Sequence, residues 1–223
     1  MMQVTEALRS RFSCRAFLDR PVSLSVIREI LDEARKAPSG GNLQPWQVHV
    51  VAGKALTGLV EDIRRRFVAA PVGEGTEYDI YPPHLAEPYR TRRFKTGMDL
   101  YRALGIARED TEARQRQWQR NYEFFGAPVG LFFALDRALG PPQWSDVGMY
   151  ILAVMLLARE RGLHSCAQEA WAAWHGAVAA HIQLPASQML FCGMAIGHGD
   201  ESAPANAFRT ERAPLDEFAV FHD

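Results

Sequence analysis

The chain has 223 residues, 48% of them hydrophobic and 23% charged, with a formal net charge of −1, which suits one domain that buries about 70% of its unfolded surface. The near-neutral balance argues against a polyanion binder, so nucleic acid is not an expected partner. Three cysteines, Cys14, Cys166 and Cys192, odd in number and far apart, fit neither a disulfide framework nor a zinc ribbon and point to a reducing compartment.

Residues 1–6 lack the apolar core of a leader, and no run approaches the ~18 apolar residues that span a bilayer. A cytoplasmic protein with no membrane partner is expected. Thr5 is placed to cap a short helix through Leu8 to about Arg11. The arm Arg11-Phe12-Ser13-Cys14-Arg15-Ala16-Phe17 follows. If its backbone turns, two guanidinium forks and a hydroxyl can converge on one anion, and arginine suits phosphate through planar, charge-assisted donation. Solvated surface arginines are the alternative.

Ser23 or Ser25 caps the next helix, where Val26, Ile27, Ile30, Leu31 and Ala34 repeat at the helical period. It should stop by Ala37, because Pro38 disfavours a helical residue before it. Next comes Pro38-Ser39-Gly40-Gly41-Asn42-Leu43-Gln44-Pro45-Trp46. Glycines permit bends and prolines stiffen them, while Ser39, Asn42 and Gln44 offer a hydroxyl and two amides able to read a planar heterocycle whose edge alternates C=O and N–H. A flavin has such an edge, although an ordinary polar connection uses the same residue types.

Taken together, R-x-S-x-R-x-F and, one helix later, P-S-x-x-N-x-Q-P-W resemble the nitroreductase family of FMN enzymes in order and spacing, and the resemblance extends along the chain, most weakly between about Arg64 and Arg120. It implies an α+β, nitroreductase-like fold: a central mixed, mostly antiparallel sheet flanked by helices, in an intertwined homodimer. It also implies one domain, 1–223, with a lid or insertion at about 71–125 and a partner-embracing tail at about 214–223. By the resemblance, Arg11 and Ser13 hold the FMN phosphate with Phe12 beside them, Arg15 lies near the flavin N1/O2 edge, and Pro38, Ser39, Gly40, Asn42 and Gln44 contact the cofactor. A cation near N1 has a physical reason, since a two-electron-reduced flavin carries negative charge there.

Residues 47–52 read as a buried strand ended by Gly53, with His49 a core residue, and Leu56, Leu59, Val60, Ile63 and Phe67 mark a second helix. Periodicity vanishes between Pro71 and Gly105, as in a long functional lid. There Tyr89, Arg90, Arg92, Arg93, Phe94 and Lys95 offer a grip for an anionic aromatic substrate or a dinucleotide phosphate, or form a solvated loop. Residues 114–126 read as a helix carrying Trp118, Tyr122, Phe124 and Phe125; the resemblance makes it an aromatic element overhanging the flavin. Tyr89, Arg90, Arg93, Trp118 and Phe124 are accordingly the candidates for shaping a substrate pocket.

An apolar strand at 128–135 and a turn at 136–142 lead to a helix over 147–158 that Ser145 is placed to cap. Being apolar nearly all round, it should be buried on every side, in a domain centre or a subunit interface. Residues 164–171 read as the start of another helix continuing to about Ala180. The resemblance puts a main-chain N–H near Glu169 and Ala170 beneath the reactive flavin N5, next to Gln168, with Ala170 where the family usually has glycine. A strand at 189–197 follows. The resemblance then makes Arg212, and with it Arg209, complete the phosphate site, and the apolar tail 215–221 reads as a strand on the partner's sheet.

Seven histidines show no ligand spacing, and G-x-S-x-G and the P-loop are missing, so no metal is expected. Without an obvious acid, base or nucleophile, the hard chemistry is left to a cofactor. The expected function is an FMN-dependent oxidoreductase that passes two electrons from NAD(P)H through flavin N5 to a nitroaromatic or quinone, in ping-pong order. The lid resembles the nitrobenzoate-reducing branch, which implies a carboxylated nitroarene. Reductive dehalogenation, enone reduction and a non-catalytic flavin-binding module remain alternatives.

Overall fold

A computed structural model describes residues 2–222; Met1 and Asp223, the last residue of the expected tail, lie outside the described residues. Four strands form one sheet in the order β1-β2-β4-β3: β1 Gln47–Ala52, β2 Val129–Asp136, β3 His164–Gln168 and β4 Gln188–Gly197. Every pairing among these strands is antiparallel. The mixed character of the sheet comes from the isolated parallel bridge of Ser13 to Ser165.

β2 is apolar without alternation because it is covered on both faces. Val129, Leu131, Phe133 and Leu135 pack towards α2 (Leu24–Ala34) and α6 (Pro141–Glu160), whereas Phe132 points to the other side, beneath α3 (Gly53–Ala69) and α7 (His175–Ile182). The result is three layers, helix on sheet on helix. β4 follows the same alternation until a register shift opposite Phe133/Ala134, and beyond it Phe191 and Cys192 both turn towards the α6 side.

Several local expectations are corrected. α1 spans Val4–Ser10 with Gln3 at its N-cap, so Thr5 lies inside the helix. α6 begins at Pro141, since a proline in the first turn sacrifices only an N–H that would be unpaired anyway; Ser145 Oγ donates to Pro142 O and caps nothing. Within the single chain α6 is not enclosed on every side as at a domain centre, for Met149 and Leu152 on its outer face are exposed, which leaves the interface alternative. At α2, by contrast, Ser23 Oγ accepts from Ser25 N, and Ile27, Ile30 and Ala34 are buried.

The stretch from Pro71 to Gly105 contains a full helix, α4 (Tyr89–Ala103). No residue of α4 is buried, so it has no apolar stripe for periodicity to reveal. It carries pairs at helical spacing instead, Lys95–Asp99 at 2.6 Å and Arg102–Asp99 at 2.7 Å. α5 (Thr111–Gln119) begins with Asp110 Oδ1 accepting from Ala113 N at 2.9 Å. The expected helix over 114–126 breaks after α5 into a 3-10 segment, Arg120–Gly126, in which Phe124 and Phe125 take left-handed φ of 48° and 55°. The helix expected from His164 is the edge strand β3 followed by a 3-10 turn, Glu169–Ala173.

Among the described residues the tail forms no strand: Leu215–Glu217 is one 3-10 turn, and Phe218, Val220 and Phe221 are 70%, 78% and 77% exposed. It leaves its own sheet alone, whose β3 edge is already taken by the arm.

Candidate active site

After α1 the chain extends along β3. Cys14 N donates to Ser165 O at 3.0 Å, Ser13 bridges Ser165, and Phe17 bridges Gly199. Asn206, 2% exposed, clamps this arm. Its Oδ1 accepts from Arg15 N at 2.7 Å, and its Nδ2 donates to Ala16 O at 2.7 Å and Asp200 O at 2.8 Å. One buried amide with each bond satisfied thus joins the arm to the closing segment.

Phe12 sits between the His164 ring, at 5.2 Å, and the Arg209 guanidinium, 3.9 Å from its centroid. Arg209 also donates to the carbonyls of Asn206 and Phe208, so it braces the arm. His164 is pushed down to about 4, chiefly by burial and then by Arg159. Gly199 N donates to its Nδ1 and Arg159 faces its Nε2, an environment of donors that keeps the ring uncharged.

Arg11 is different. Burial lowers its pKa first, and the positive charge of Arg212 lowers it further. Arg212 is steadied by Thr210, to whose Oγ1 it donates at 2.6 Å. Among the described residues neither arginine has a carboxylate ion-pair partner. Two like charges gathered without a carboxylate ion pair among the described residues, with Arg11 two residues along the arm from Ser13, fit the phosphate end of FMN.

A cavity of about 760 Å³ opens beside the arm. Arg15 lies at one wall, and Gln168, Glu169 and Ala170 at the end of β3 line another. α4 contributes Arg92, Arg93 and Tyr101 opposite, and the α5 side contributes Gln117, Trp118, Asn121 and Phe125. Gln168 Nε2 donates to Asn121 O at 2.7 Å, which joins two of these walls. Arg93 lies 3.9 Å over the Tyr81 ring and has no carboxylate ion pair among the described residues, whereas Arg92 pairs with Glu217 at 2.5 Å. Burial raises the Glu169 carboxyl above its ordinary range.

Of the candidates for substrate contact, Arg93 and Trp118 line this cavity. Phe124 is corrected: it is 0% exposed and packs on Phe132 and Trp171, because its left-handed backbone turns the ring inward and leaves Phe125 at the cavity. Tyr89 and Arg90 lie outside the lining, Arg90 paired with Glu87 at 2.7 Å. The sequence reading also passed over Tyr101, Gln117, Asn121 and Asn206 as site residues. The signal was faint; amides around Trp118 and after Pro204 were all that marked them.

The loop 38–46 does not reach this cavity. It approaches α6, with Gly40 N donating to the Asp146 carboxylate at 3.3 Å and Trp46 stacked on Tyr150 at 4.8 Å. Asn42 and Gln44 are exposed at left-handed φ of 56° and 51°, a strained backbone of the kind kept at functional sites. Pro38 and Ser39 precede the bend, and Ser39 Oγ accepts from Gln44 N at 3.0 Å. The sheet explains the separation. The arm bridges β3 at Ser165, level through β4 and β2 with Ala52, while the loop enters β1 at Gln47. The two motifs stand at opposite corners of the sheet, about 19 Å apart across the strands, with the arm outside β3, and about 17 Å along them.

The model of the Nitroreductase family matches residues 8–198. A nitrobenzene nitroreductase of Ectopseudomonas oleovorans is 38% identical over 98% of this chain and 96% of its own length. A 4-nitrobenzoate reductase of Pseudomonas putida is 38% identical over 95% of this chain and 92% of its own. Among solved structures, the FMN- and NADPH-dependent nitroreductase NfnB from sphigopyxis sp. strain HMH superposes with a TM-score of 0.96 at 48% identity, covering 99% of both chains.

Proposed function

The chain belongs to the nitroreductase family, and from that premise we propose that it is a homodimeric, FMN-dependent oxidoreductase passing two electrons from NAD(P)H to nitroaromatic acceptors. The observation that carries this reading is the meeting of Arg11 and Arg212, without a carboxylate ion pair among the described residues, in the same chain as a cavity lined by Arg15 and residues 168–170. FMN, when bound, supplies the chemistry: it takes a hydride equivalent from the nicotinamide and delivers two electrons to the acceptor. Arg11, Ser13 and Arg212 hold its phosphate, and Arg15 places positive charge where a reduced flavin is negative. Residues 168–170, which line the cavity, would support the flavin, with Ala170 in place of the smaller glycine.

The loop 38–46 serves the cofactor of a second copy. Its own cavity lies at the far corner of the sheet, and its strained amides at Asn42 and Gln44 face outward. The open apolar face of α6 and the exposed tail 214–223 give the second copy its docking surface, and residues 71–125 act as a lid. With one open face for both partners the cycle is ping-pong, and quinones fit the same face as nitroarenes.

The first test is the spectrum of the purified protein. Flavin bands are expected to bleach on anaerobic addition of NADPH and to return with 4-nitrobenzoate. Bands that fail to bleach would leave a non-catalytic flavin carrier, and a colourless protein that takes up no FMN would end the reading. A return with halogenated phenols or enones in place of nitroarenes would shift the acceptor class.

A carboxylated nitroarene is the preferred substrate, because Arg93 on Tyr81 presents a cation with no carboxylate partner to the cavity. Arg93→Glu is expected to raise KM for 4-nitrobenzoate by about ten- to a hundredfold, the size of one lost charge-assisted contact of about 1.5–3 kcal/mol, and to leave nitrobenzene nearly unchanged. Equal effects on both would remove the assignment.

A further inference from the structure

Nitro reduction consumes protons as well as electrons. Converting Ar–NO2 to Ar–NO takes two electrons and two protons, breaks one N–O bond and releases that oxygen as water. A reduced flavin supplies both electrons and one proton as a hydride equivalent, so the second proton must come from another group.

The cavity offers few donors. Among the described residues Glu169 is the one carboxyl in its lining, and no histidine, lysine or cysteine joins it. The remaining ionisable side chains there are the arginines Arg15, Arg92 and Arg93 and the tyrosines Tyr81 and Tyr101, and a carboxyl is by residue type the strongest acid among them. Glu169 opens the 3-10 turn Glu169–Ala173, directly before Ala170. It has no ion pair among the described residues, since Arg92 is taken by Glu217 and Arg93 by the Tyr81 ring.

We propose that the Glu169 carboxyl is the general acid of the oxidative half-reaction, donating the proton that leaves with the nitro oxygen as water and regaining it from solvent. The assignment rests on the flavin reading above and concerns only the step that reading leaves without a proton source. Geometry confines the acid to the cavity lining, where the acceptor must sit. The electrostatics agree. Glu169 opens into the cavity, yet the bulk of protein behind it opposes its ionisation. Cys192 on β4 and the Tyr78 hydroxyl lie near enough for the Glu169 charge to oppose their own ionisation. Tyr122, on the 3-10 segment packed against the turn, is itself held neutral by burial. A carboxyl so placed keeps its proton to higher pH than an exposed one and loses it above its pKa, so donation falls as pH rises.

The experiment compares the FMN-loaded parent enzyme with Glu169→Gln and Glu169→Asp by anaerobic stopped flow. Each is reduced with NADPH, then reoxidised by nitrobenzene or by ferricyanide, an acceptor that takes electrons without protons. Because residues 168–170 also support the flavin, bleaching by NADPH and reoxidation by ferricyanide set the baseline for each variant, and the loss with nitrobenzene is read relative to them. Reoxidation of Glu169→Gln by nitrobenzene should slow about 100-fold and lose its pH dependence, while the parent declines with rising pH and Glu169→Asp recovers part of the rate.

FMN-free protein provides a second readout. In a titration of carboxyl-labelled glutamate, the signal missing from Glu169→Gln should titrate above the ordinary value of 4.5. Nitrobenzene reoxidation at the parent's rate in Glu169→Gln would overturn the assignment. So would equal slowing with ferricyanide, or a signal titrating at or below the ordinary value. A parent enzyme that NADPH fails to bleach would instead bring down the flavin reading, and the proton donor with it.

Discussion

Replacing Trp171 with alanine should destabilise the protein by about 3–5 kcal/mol, the range for deleting a fully buried large aromatic. Trp171 is 0% exposed and touches three aromatic rings from two parts of the chain: Phe124 at 4.7 Å and Tyr122 at 5.4 Å from the 3-10 segment, and Phe132 at 5.1 Å from β2. The backbone of β4 presses against it from below, since a Cβ added at Gly193 would collide with the indole. Little can move in to refill the space, because the neighbouring rings are themselves held by β2 and by the left-handed turn at Phe124 and Phe125. The substitution also removes the packing beneath Glu169 and Ala170, so flavin retention should fall together with stability. Denaturant unfolding of the FMN-free protein measures the first effect and equilibrium dialysis of FMN the second. Trp171→Phe keeps a ring against Phe124 and should recover much of both. A loss below about 1 kcal/mol in Trp171→Ala, the size of an unremarkable substitution, would show that the cluster closes over the gap and that the floor does not depend on it.

Arg11→Ala should separate affinity from stability. A charge-assisted bond to phosphate contributes about 1.5–3 kcal/mol, so FMN should bind about 10- to 100-fold more weakly. Without FMN the sign reverses. Arg11 and Arg212 oppose one another's charge, and burial opposes that of Arg11 further, so removing one guanidinium relieves the bare pocket. The FMN-free variant should therefore unfold at the same or a higher denaturant concentration than the parent. FMN affinity within twofold of the parent would place the phosphate elsewhere, and reduced stability without FMN would mean that Arg11 acts as a brace, as Arg209 does on Phe12. Isothermal titration with FMN and a denaturation curve decide between these outcomes.

Local pattern was a good guide wherever burial imposed a period. α2 starts after Ser23 with Ile27, Ile30 and Ala34 inward, and β1 spans Gln47–Ala52 as its β-branched run suggests, although it is an edge strand in which only Val51 is buried and His49 lies outside the core. It failed where something other than burial forms the element. α4 is built on charge pairs with no inward face, the turn at Phe124 and Phe125 rests on strained φ held by packing, and β3 shares its residue types with a helix start.

The chemical kit was legible in the residues alone. Two arginines around a serine, an amide-rich bent loop and an apolar helix able to join two copies each follow from residue type and near spacing, and these are properties of short stretches. Which of those parts meet was decided by the tertiary structure. The order β1-β2-β4-β3 sends the arm and the amide loop to opposite corners, Asn206 clamps the arm from 191 residues away, and Arg212 returns beside Arg11. Phe124 and Phe125 are both buried, and of the two Phe125 also lines the cavity, through two φ values that long-range packing maintains. Sheet order and packing join residues far apart in the chain, and no local periodicity records such meetings.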